Sequence, residues 1–148
     1  MPGTKNNRKM KKKINVLVVE DNEYFNSLLS KTLQQSIHSS SLKGKYQLVL
    51  HSFTNSLDCI RKIKSHELEH NDTIAFVDYY MGNGINGAHI IKLLKEQNND
   101  TVAVLLSQSK AVEEKNNLSH PDYIVMKDTS TPALCRLYLE QFIENKIL

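Results

Sequence analysis

Five polar side chains in this sequence each follow directly on an apolar run. Glu20 and Asp21 follow the first run, and Asp78, Ser107 and Lys127 each follow a later one. Apolar runs of this length, bounded by turn residues, are typical of strands in a parallel sheet, and ligands bind such sheets at the carboxyl ends of the strands. If these runs are neighbouring strands, three carboxylates, a hydroxyl and an ammonium group meet at one edge.

Three carboxylates at one edge favour a bound cation. Two unit charges about 4 Å apart repel each other by ~4 kcal/mol at an effective dielectric constant of about 20, so the group must hold a proton or recruit a positive ion. Mg²⁺ is the natural ion, because it takes one or two carboxylates and several waters. Lys127 adds a fixed positive charge. Since a transferring phosphoryl group needs its oxygens neutralised, the pattern predicts phosphoryl chemistry.

Five strands are predicted to carry these residues. The apolar runs lie at residues 14–19, 46–51, 74–77, 102–106 and 123–126. Helical spacing follows each run, so strands and helices alternate, which argues for an α/β fold with a doubly wound five-stranded parallel sheet and helices on both faces. We expect the flavodoxin-like strand order 2-1-3-4-5, in which the first and third strands flank the ligand crevice.

The buried faces of the five predicted helices are read from apolar residues three and four positions apart. One helix, at residues 109–116, has only a weak apolar stripe. The other four faces are Phe25, Leu28, Leu29, Thr32 and Leu33; Leu57, Ile60 and Ile63; Ala88, Ile91 and Leu94; and Leu134, Leu137, Tyr138 and Phe142.

The net charge of +3 conceals two regions of opposite charge. Residues 1–13 hold six Lys and Arg and no acid, and removing these six from the 19 basic residues leaves 13 against 16 acidic residues. We expect residues 1–13 to be a basic, disordered tail. The remaining length suits one domain, which we place at residues 14–145.

Cysteine usage and hydropathy indicate a reducing compartment. Cys59 and Cys135 are the only cysteines and have no C-x-x-C spacing, so we expect two reduced structural thiols. No apolar run approaches the ~20 residues of a membrane span, and the N-terminus lacks the apolar core of a signal peptide. These observations predict a cytoplasmic protein with no membrane span.

With these elements in place, the sequence resembles the response-regulator receiver domain of two-component signalling, of the stand-alone, chemotaxis-regulator type. The resemblance covers about residues 14–145. It rests on four segments, VLVVEDN at 16–22, FVDYYMG at 76–82, VLLS at 104–107 and DYIVMKD at 122–128.

The resemblance implies a role for each polar residue. Asp78 would be the phospho-acceptor. Asp21 would ligate Mg²⁺ directly, Glu20 through water, and Tyr80 through its backbone carbonyl. The two remaining side chains would contact the phosphoryl oxygens, Ser107 by a hydrogen bond and Lys127 by an ion pair.

The resemblance also implies partners. The phosphoryl donor would be a sensor histidine kinase or a histidine phosphotransfer protein, and the phosphorylated domain would switch a face that binds an unknown downstream protein. No DNA-binding segment follows residue 145, so we expect the output to pass through that partner. The chain would be a regulator and not an enzyme, apart from its own phosphorylation and dephosphorylation.

The chain departs from the family pattern at four positions. Gly82 stands where proline is usual, and Gly87 lies nine residues after Asp78 where eight is typical. Asp128 replaces the proline after Lys127, which removes an expected cis peptide bond. Tyr123 lies four residues before Lys127 and not three, so either a bulge restores its orientation or the domain transmits its signal differently.

Two further motifs suggest other functions. Gly82, Gly84 and Gly87 spell G-x-G-x-x-G, the dinucleotide fingerprint, but they lie in the third strand-helix unit and close to an aspartate that would repel a pyrophosphate. His66, Glu67 and His70 spell the zinc-protease motif H-E-x-x-H, but on a charged segment without an apolar face.

Three function classes therefore remain open. The first is a phospho-accepting signalling module. The second is a small nucleotide-binding α/β protein that uses the glycine loop. The third is a degenerate receiver that acts as a constitutive interaction domain; such domains typically lose the acceptor or the lysine, whereas this chain has both.

Overall fold

The computed structural model describes residues 12–39, 44–82, 85–108 and 121–147. Within these residues the chain forms five strands and four helices. The strands are β1 Lys12–Val19, β2 Tyr46–Phe53, β3 Asp72–Asp78, β4 Val102–Ser107 and β5 Tyr123–Met126. The helices are α1 Glu23–Ser39, α2 Ser56–Lys64, α3 Gly87–Gln97 and α4 Thr131–Ile147. The helix predicted at residues 109–116 lies outside the described residues.

All five strands form one parallel sheet in the order β2-β1-β3-β4-β5. The predicted strand order is therefore confirmed. Because β1 lies beside β3, the acidic pair that follows β1 is adjacent to the aspartate that ends β3. Parallel pairing also brings the ends of β4 and β5 to the same edge, since Ser107 pairs with Met126, the residue before Lys127.

Two apolar layers cover the sheet, one on each face. Even-numbered residues of β1 and β3, such as Val16 and Phe76, pack with α1 and α4. Odd-numbered residues, such as Leu17 and Val77, pack with α2 and α3. Since both faces are covered, Ile14–Val19 is buried without alternation, which is the pattern expected for a strand inside a parallel sheet.

The sheet begins earlier than the sequence predicted. Lys12 and Lys13 belong to β1, where they pair with Tyr46 and Gln47 of β2. The Lys12 ammonium also lies 3.2 Å from the Asp72 carboxylate at the start of β3. The last two residues of the predicted tail are therefore part of the fold, because strand pairing and an ion pair stabilise their extended conformation.

The helix faces were predicted only in part. Four leucines that were assigned to buried faces are exposed, by 37–61%: Leu28, Leu57, Leu134 and Leu137. In α4 the buried face is turned by about one residue, so that Cys135, Leu139, Phe142 and Ile143 enter the core. Apolar residues occur on both sides of α4, and the stripe that packs against the sheet begins at a cysteine rather than at Leu134.

The two cysteines behave as predicted. Cys59 and Cys135 are buried, free thiols in α2 and α4. Burial raises the pKa of each thiol to about 12, so neither is a reactive thiolate near neutral pH. Among the described residues, no helix is long and apolar enough to cross a membrane.

Gly87 lets α3 begin directly against the end of β3. A Cβ atom at this position would lie 2.2 Å from the Asp78 carbonyl oxygen and 2.9 Å from a Val77 methyl carbon. The Gly87 amide donates a 2.8 Å hydrogen bond to the Tyr79 carbonyl, which holds the two segments at this distance. The close approach explains why this helix starts with glycine.

We predict that Gly87→Ala lowers the free energy of unfolding by about 1–3 kcal/mol, because the new methyl group meets backbone that cannot move aside cheaply. Chemical denaturation followed by circular dichroism measures this. The matched control is Gly44→Ala, where a Cβ atom meets nothing within 4 Å. We expect the control to be unchanged or slightly more stable. Equal effects of the two substitutions would contradict the packing argument.

Candidate functional site

Three carboxylates converge at the carboxyl edge of the sheet. Glu20 and Asp21 follow β1, and Asp78 is the last residue of β3. Each can place one oxygen within 4.8 Å of the other two. Glu20 and Asp78 are buried, whereas Asp21 is exposed. The predicted cluster therefore forms, with two acids inside the protein and one facing solvent.

Lys127 supplies the positive charge next to this cluster. Its ammonium group lies 2.6 Å from Glu20 Oε1 and 3.5 Å from Asp78 Oδ1. The ammonium also stands 4.8 Å from the centre of the Phe25 ring, a cation–π distance. Since the Lys127 amide donates to the Ser107 carbonyl at 2.8 Å, the lysine is fixed by its backbone as well as by its charge.

Asn22 connects the acidic pair to α1. Its backbone amide donates a 3.0 Å hydrogen bond to Glu20 Oε2. Its side-chain oxygen accepts a 2.9 Å hydrogen bond from the Phe25 amide and so caps the first turn of α1. Both oxygens of the Glu20 carboxylate thus have partners, one in the loop and one in Lys127.

The segment after Lys127 adopts an ordinary trans geometry. All peptide bonds between described residues are trans, as expected with Asp128 in place of proline. The Asp128 amide donates to Thr131 Oγ1, and Thr131 Oγ1 donates to the Met126 carbonyl, both at 2.8 Å. The Thr131 hydroxyl, which accepts one hydrogen bond and donates the other, therefore shapes this loop at the start of α4.

The environment of Asp78 disfavours its charged form. The pKa of Asp78 is raised from 3.8 to about 7, first by burial and then by the negative charge of Glu20, against the opposing effect of Lys127. A hydrogen bond with Glu20 and the charge of Asp21 also raise this pKa. Without a cation, the three carboxylates thus hold a proton near neutral pH.

A cavity of about 730 Å³ opens over the acids. Its lining includes Asp21, Asp78 and Lys127, together with the exposed ring of Tyr80. Ser107 is fully buried at the end of β4 and is separate from the described residues that line this cavity, to which its neighbour Gln108 contributes. Of the predicted site residues, Ser107 is therefore the one set back from the open site.

The structure decides between the two alternatives for Tyr123. Residues 123–126 pair one to one with residues 104–107 of β4, so β5 contains no bulge. Tyr123 consequently lies on the face covered by α4, where its ring stacks on Tyr138 with centroids 4.3 Å apart. Ile124 packs on the opposite face, with the core formed by α2 and α3. Tyr123 therefore stacks on α4 and does not point toward the face that α2 and α3 cover.

The described residues of the two rival motifs have other structural roles. Gly82 has a φ of 80°, a value that favours glycine, and Gly87 is required by packing; Gly84 lies outside the described residues. The segment H-E-x-x-H starts at His66, after α2 has ended at Lys64, so its two histidines do not share a helix face. His66 Nδ1 instead lies 2.9 Å from Glu69 Oε2.

The sequence prediction overlooked Asn22 and Asn26. Asn22 follows the acidic pair directly and precedes a helical stripe, which is the pattern of an N-cap. Asn26 is buried and lies on the stripe of Leu29 and Leu33. A polar residue on an otherwise apolar stripe is the signal that would have pointed to it.

We predict that Asp78→Asn stabilises the metal-free protein at alkaline pH. A carboxyl group whose pKa is raised on folding contributes stability that is present below pH 3.8 and is lost as the pH rises through about 7. The neutral amide avoids this loss. In EDTA at pH 8, the variant should be more stable than the wild type by on the order of 1 kcal/mol, and less so at pH 5.

Thermal melting at the two pH values measures the difference. The same chemical change at the exposed Asp100 serves as the control, since Asp100→Asn should show no such dependence. If the difference in stability between Asp78→Asn and the wild type were the same at pH 5 and at pH 8, the assigned charge repulsion would be contradicted.

Comparison with known proteins finds likeness at the level of structure. No family model matches the sequence, and no curated protein matches it. The beryllofluoride-activated receiver domain of DrrB, a Thermotoga maritima protein, has 20% sequence identity, covers 91% of this chain and 99% of its own, and gives a TM-score of 0.67.

Two further structures have the same fold. TrrA of Thermotoga maritima, in complex with Mg²⁺ and beryllofluoride, is 21% identical over 94% of this chain and 100% of its own, with a TM-score of 0.62. A Burkholderia pseudomallei response regulator with a phosphorylated aspartic acid is 19% identical over 88% and 74%, with a TM-score of 0.60. The chain described here thus has the fold of response regulator receiver domains.

Proposed function

We propose that this chain is a signalling regulator in which Asp78 accepts a phosphoryl group in a Mg²⁺-dependent reaction. One observation carries the proposal: three carboxylates with oxygens within 4.8 Å of one another share a single edge with Lys127. The receiver fold around this group supports the assignment. A single domain over about residues 14–145 remains part of this proposal; β1 begins at Lys12 and α4 ends at Ile147.

The acidic residues fit a divalent cation. Asp21, Asp78 and Glu20 supply the oxygen donors that Mg²⁺ prefers, and the exposed Asp21 leaves room for water ligands. We assign the Tyr80 backbone carbonyl as a further ligand because Tyr80 lines the same cavity. When bound, the ion supplies positive charge that lets all three acids ionise and that neutralises phosphoryl oxygens.

The phosphoryl step forms one bond and breaks one. An Asp78 carboxylate oxygen attacks phosphorus, and the bond from phosphorus to a phosphohistidine nitrogen, or to the oxygen of an acyl phosphate, breaks with its electron pair leaving on the donor. The ammonium of Lys127, now shared between Glu20 and Asp78, can pair with the transferred group. The Ser107 hydroxyl is assigned to another phosphoryl oxygen, which requires movement at the end of β4.

The known structures support this chemistry over the two alternatives. DrrB and TrrA were described with beryllofluoride, and the Burkholderia protein with a phosphorylated aspartic acid. All three are named as response regulators or their receiver domains. A degenerate interaction domain is disfavoured because Asp78 and Lys127 are both present and 3.5 Å apart.

The partners follow from the chemistry. A sensor histidine kinase or a histidine phosphotransfer protein is the assigned donor, and a downstream protein reads the switched face. Because Tyr123 is stacked on Tyr138, we assign the response to the end of β4 at Ser107 and Gln108 and not to an aromatic rotation. Phosphorylation adds about −1.5 to −2 charges and three acceptor oxygens at Asp78. Ser107 can donate a hydrogen bond to one of these oxygens, and Lys127 can form an ion pair with another.

We predict that acetyl phosphate with Mg²⁺ adds one phosphoryl group to the wild-type protein, measured by intact mass. Asp78→Asn should gain none, because the attacking oxygen is removed, and EDTA should abolish the gain in the wild type. Asp100→Asn, with the same chemical change at an exposed site, should be phosphorylated normally. Equal phosphorylation of Asp78→Asn would refute the assigned acceptor.

We predict that Asp21→Asn weakens Mg²⁺ binding by about ten-fold or more, because it removes a charged ligand and leaves the buried acids without it. Calorimetric titration measures the affinity, with Asp100→Asn as the control for lost negative charge. An unchanged affinity in Asp21→Asn would mean that the ion is bound elsewhere.

A further inference from the structure

A buried amide joins the carboxyl ends of β1 and β2. The Asn26 side chain is 4% exposed. Its Nδ2 donates hydrogen bonds of 3.0 Å to the Glu20 carbonyl and of 3.0 Å to the Phe53 carbonyl. Its Oδ1 accepts hydrogen bonds from the Ser52 hydroxyl at 2.5 Å and from the Ser30 hydroxyl at 3.1 Å. The amide therefore uses both donors and both acceptor sites.

This arrangement requires an amide and cannot be made by an apolar side chain. Asn26 is buried at the start of the stripe that continues with the core residues Leu29 and Leu33 on α1. A polar group in such a place is unfavourable unless all its hydrogen bonds are made. Here the hydrogen bonds are made to two backbone carbonyls at the ends of β1 and β2 and to two serine hydroxyls. Asn26 therefore links α1 to the ends of both strands.

One of the two carbonyls that Asn26 contacts, that of Glu20, belongs to the acidic site. Phe53 is the last residue of β2, and its carbonyl accepts from the Glu20 amide at 3.0 Å as well as from Asn26. Asn26 thus holds the Glu20 peptide on its carbonyl side, while strand pairing holds the amide side. Between β1 and α1 the chain turns at Glu20 and Asp21. The backbone conformation of this turn determines the direction of both carboxylates.

We propose that Asn26 is a positioning residue for the acidic site. Its amide fixes the backbone of Glu20, and through it the distance of the Glu20 and Asp21 oxygens from Asp78, so that it sets the affinity for Mg²⁺. Asn26 does not contact the ion. The inference rests on the proposed function only in taking Mg²⁺ as the ion of this site.

The test compares two substitutions in the full chain. Asn26→Ala removes the amide and leaves space for water, whereas Asn26→Leu removes it but keeps the volume and the helix packing. We expect both to weaken Mg²⁺ binding by roughly ten- to a hundred-fold, the range found for residues that orient metal ligands. Calorimetric titration is made well below the melting temperature of each variant, so that only folded protein is measured.

Gln97→Ala is the matched control. Gln97 also donates its side-chain amide to a backbone carbonyl, that of Ile63, at 2.8 Å, but between α2 and α3 and away from the acids. It should change Mg²⁺ affinity by less than about two-fold. The control therefore distinguishes the general effect of losing such a hydrogen bond from the specific effect of displacing the Glu20 backbone.

A second readout uses acetyl phosphate. If Asn26 acts through the ion, the slower phosphorylation of Asn26→Ala at low Mg²⁺ returns to within about three-fold of the wild type at saturating Mg²⁺, which a general loss of structure would not allow. Unchanged Mg²⁺ affinity in the folded Asn26 variants, or equal weakening in Gln97→Ala, would overturn the inference. Absence of phosphorylation in a wild type that binds Mg²⁺ would instead count against the proposed function and leave the affinity comparison standing.

Discussion

Repulsion between carboxylates at one edge of the sheet governs this structure. Glu20 and Asp78 are buried with little access to solvent, and among the residues that the structure describes their charges are offset by one ammonium, that of Lys127. Burial and the neighbouring acids raise the pKa of Asp78 to about 7, so one lysine is insufficient to let all three acids ionise. The site is consequently built to take up a further positive charge, from a proton or from a metal ion.

Four features of the fold place these groups. The strand order sets β1 beside β3, so the acidic pair meets Asp78 across two adjacent strand ends. One-to-one pairing of β4 with β5 then brings Lys127 to the same edge. Gly87 allows α3 to start against the Asp78 backbone, and α1 is fastened to the end of β1 by Asn26. Packing and hydrogen bonding thus hold in place an arrangement of charges that is unfavourable in itself.

Sequence reasoning succeeded where a pattern has one structural solution. Uncharged runs that end on acids indicated a covered parallel sheet and its functional edge. The alternation of strands and helices indicated a doubly wound sheet, for which the flavodoxin-like order was the expected one. Sequence reasoning failed where two faces of a helix could have been buried equally well. Both sides of α4 carry apolar residues, so the choice of Cys135 and Leu139 over Leu134 and Leu137 depends on packing that no local pattern records.

The orientation of Tyr123 was open for a related reason. A strand side chain changes faces with a slip of one residue, and only the pairing with β4 shows that no bulge is present. Asn26 was missed because its role lies in bonds to residues six and 27 positions away in sequence. Such long-range hydrogen bonds become visible only when the fold is known.

A crystal structure of the protein grown with Mg²⁺ and beryllofluoride would test the central claim most directly. The account predicts an ion bound by oxygens of Asp21 and Asp78, a beryllofluoride group on an Asp78 oxygen, and the Lys127 ammonium moved from Glu20 to that group. A structure in which Asp78 carries no beryllofluoride and Lys127 remains paired with Glu20 would contradict it.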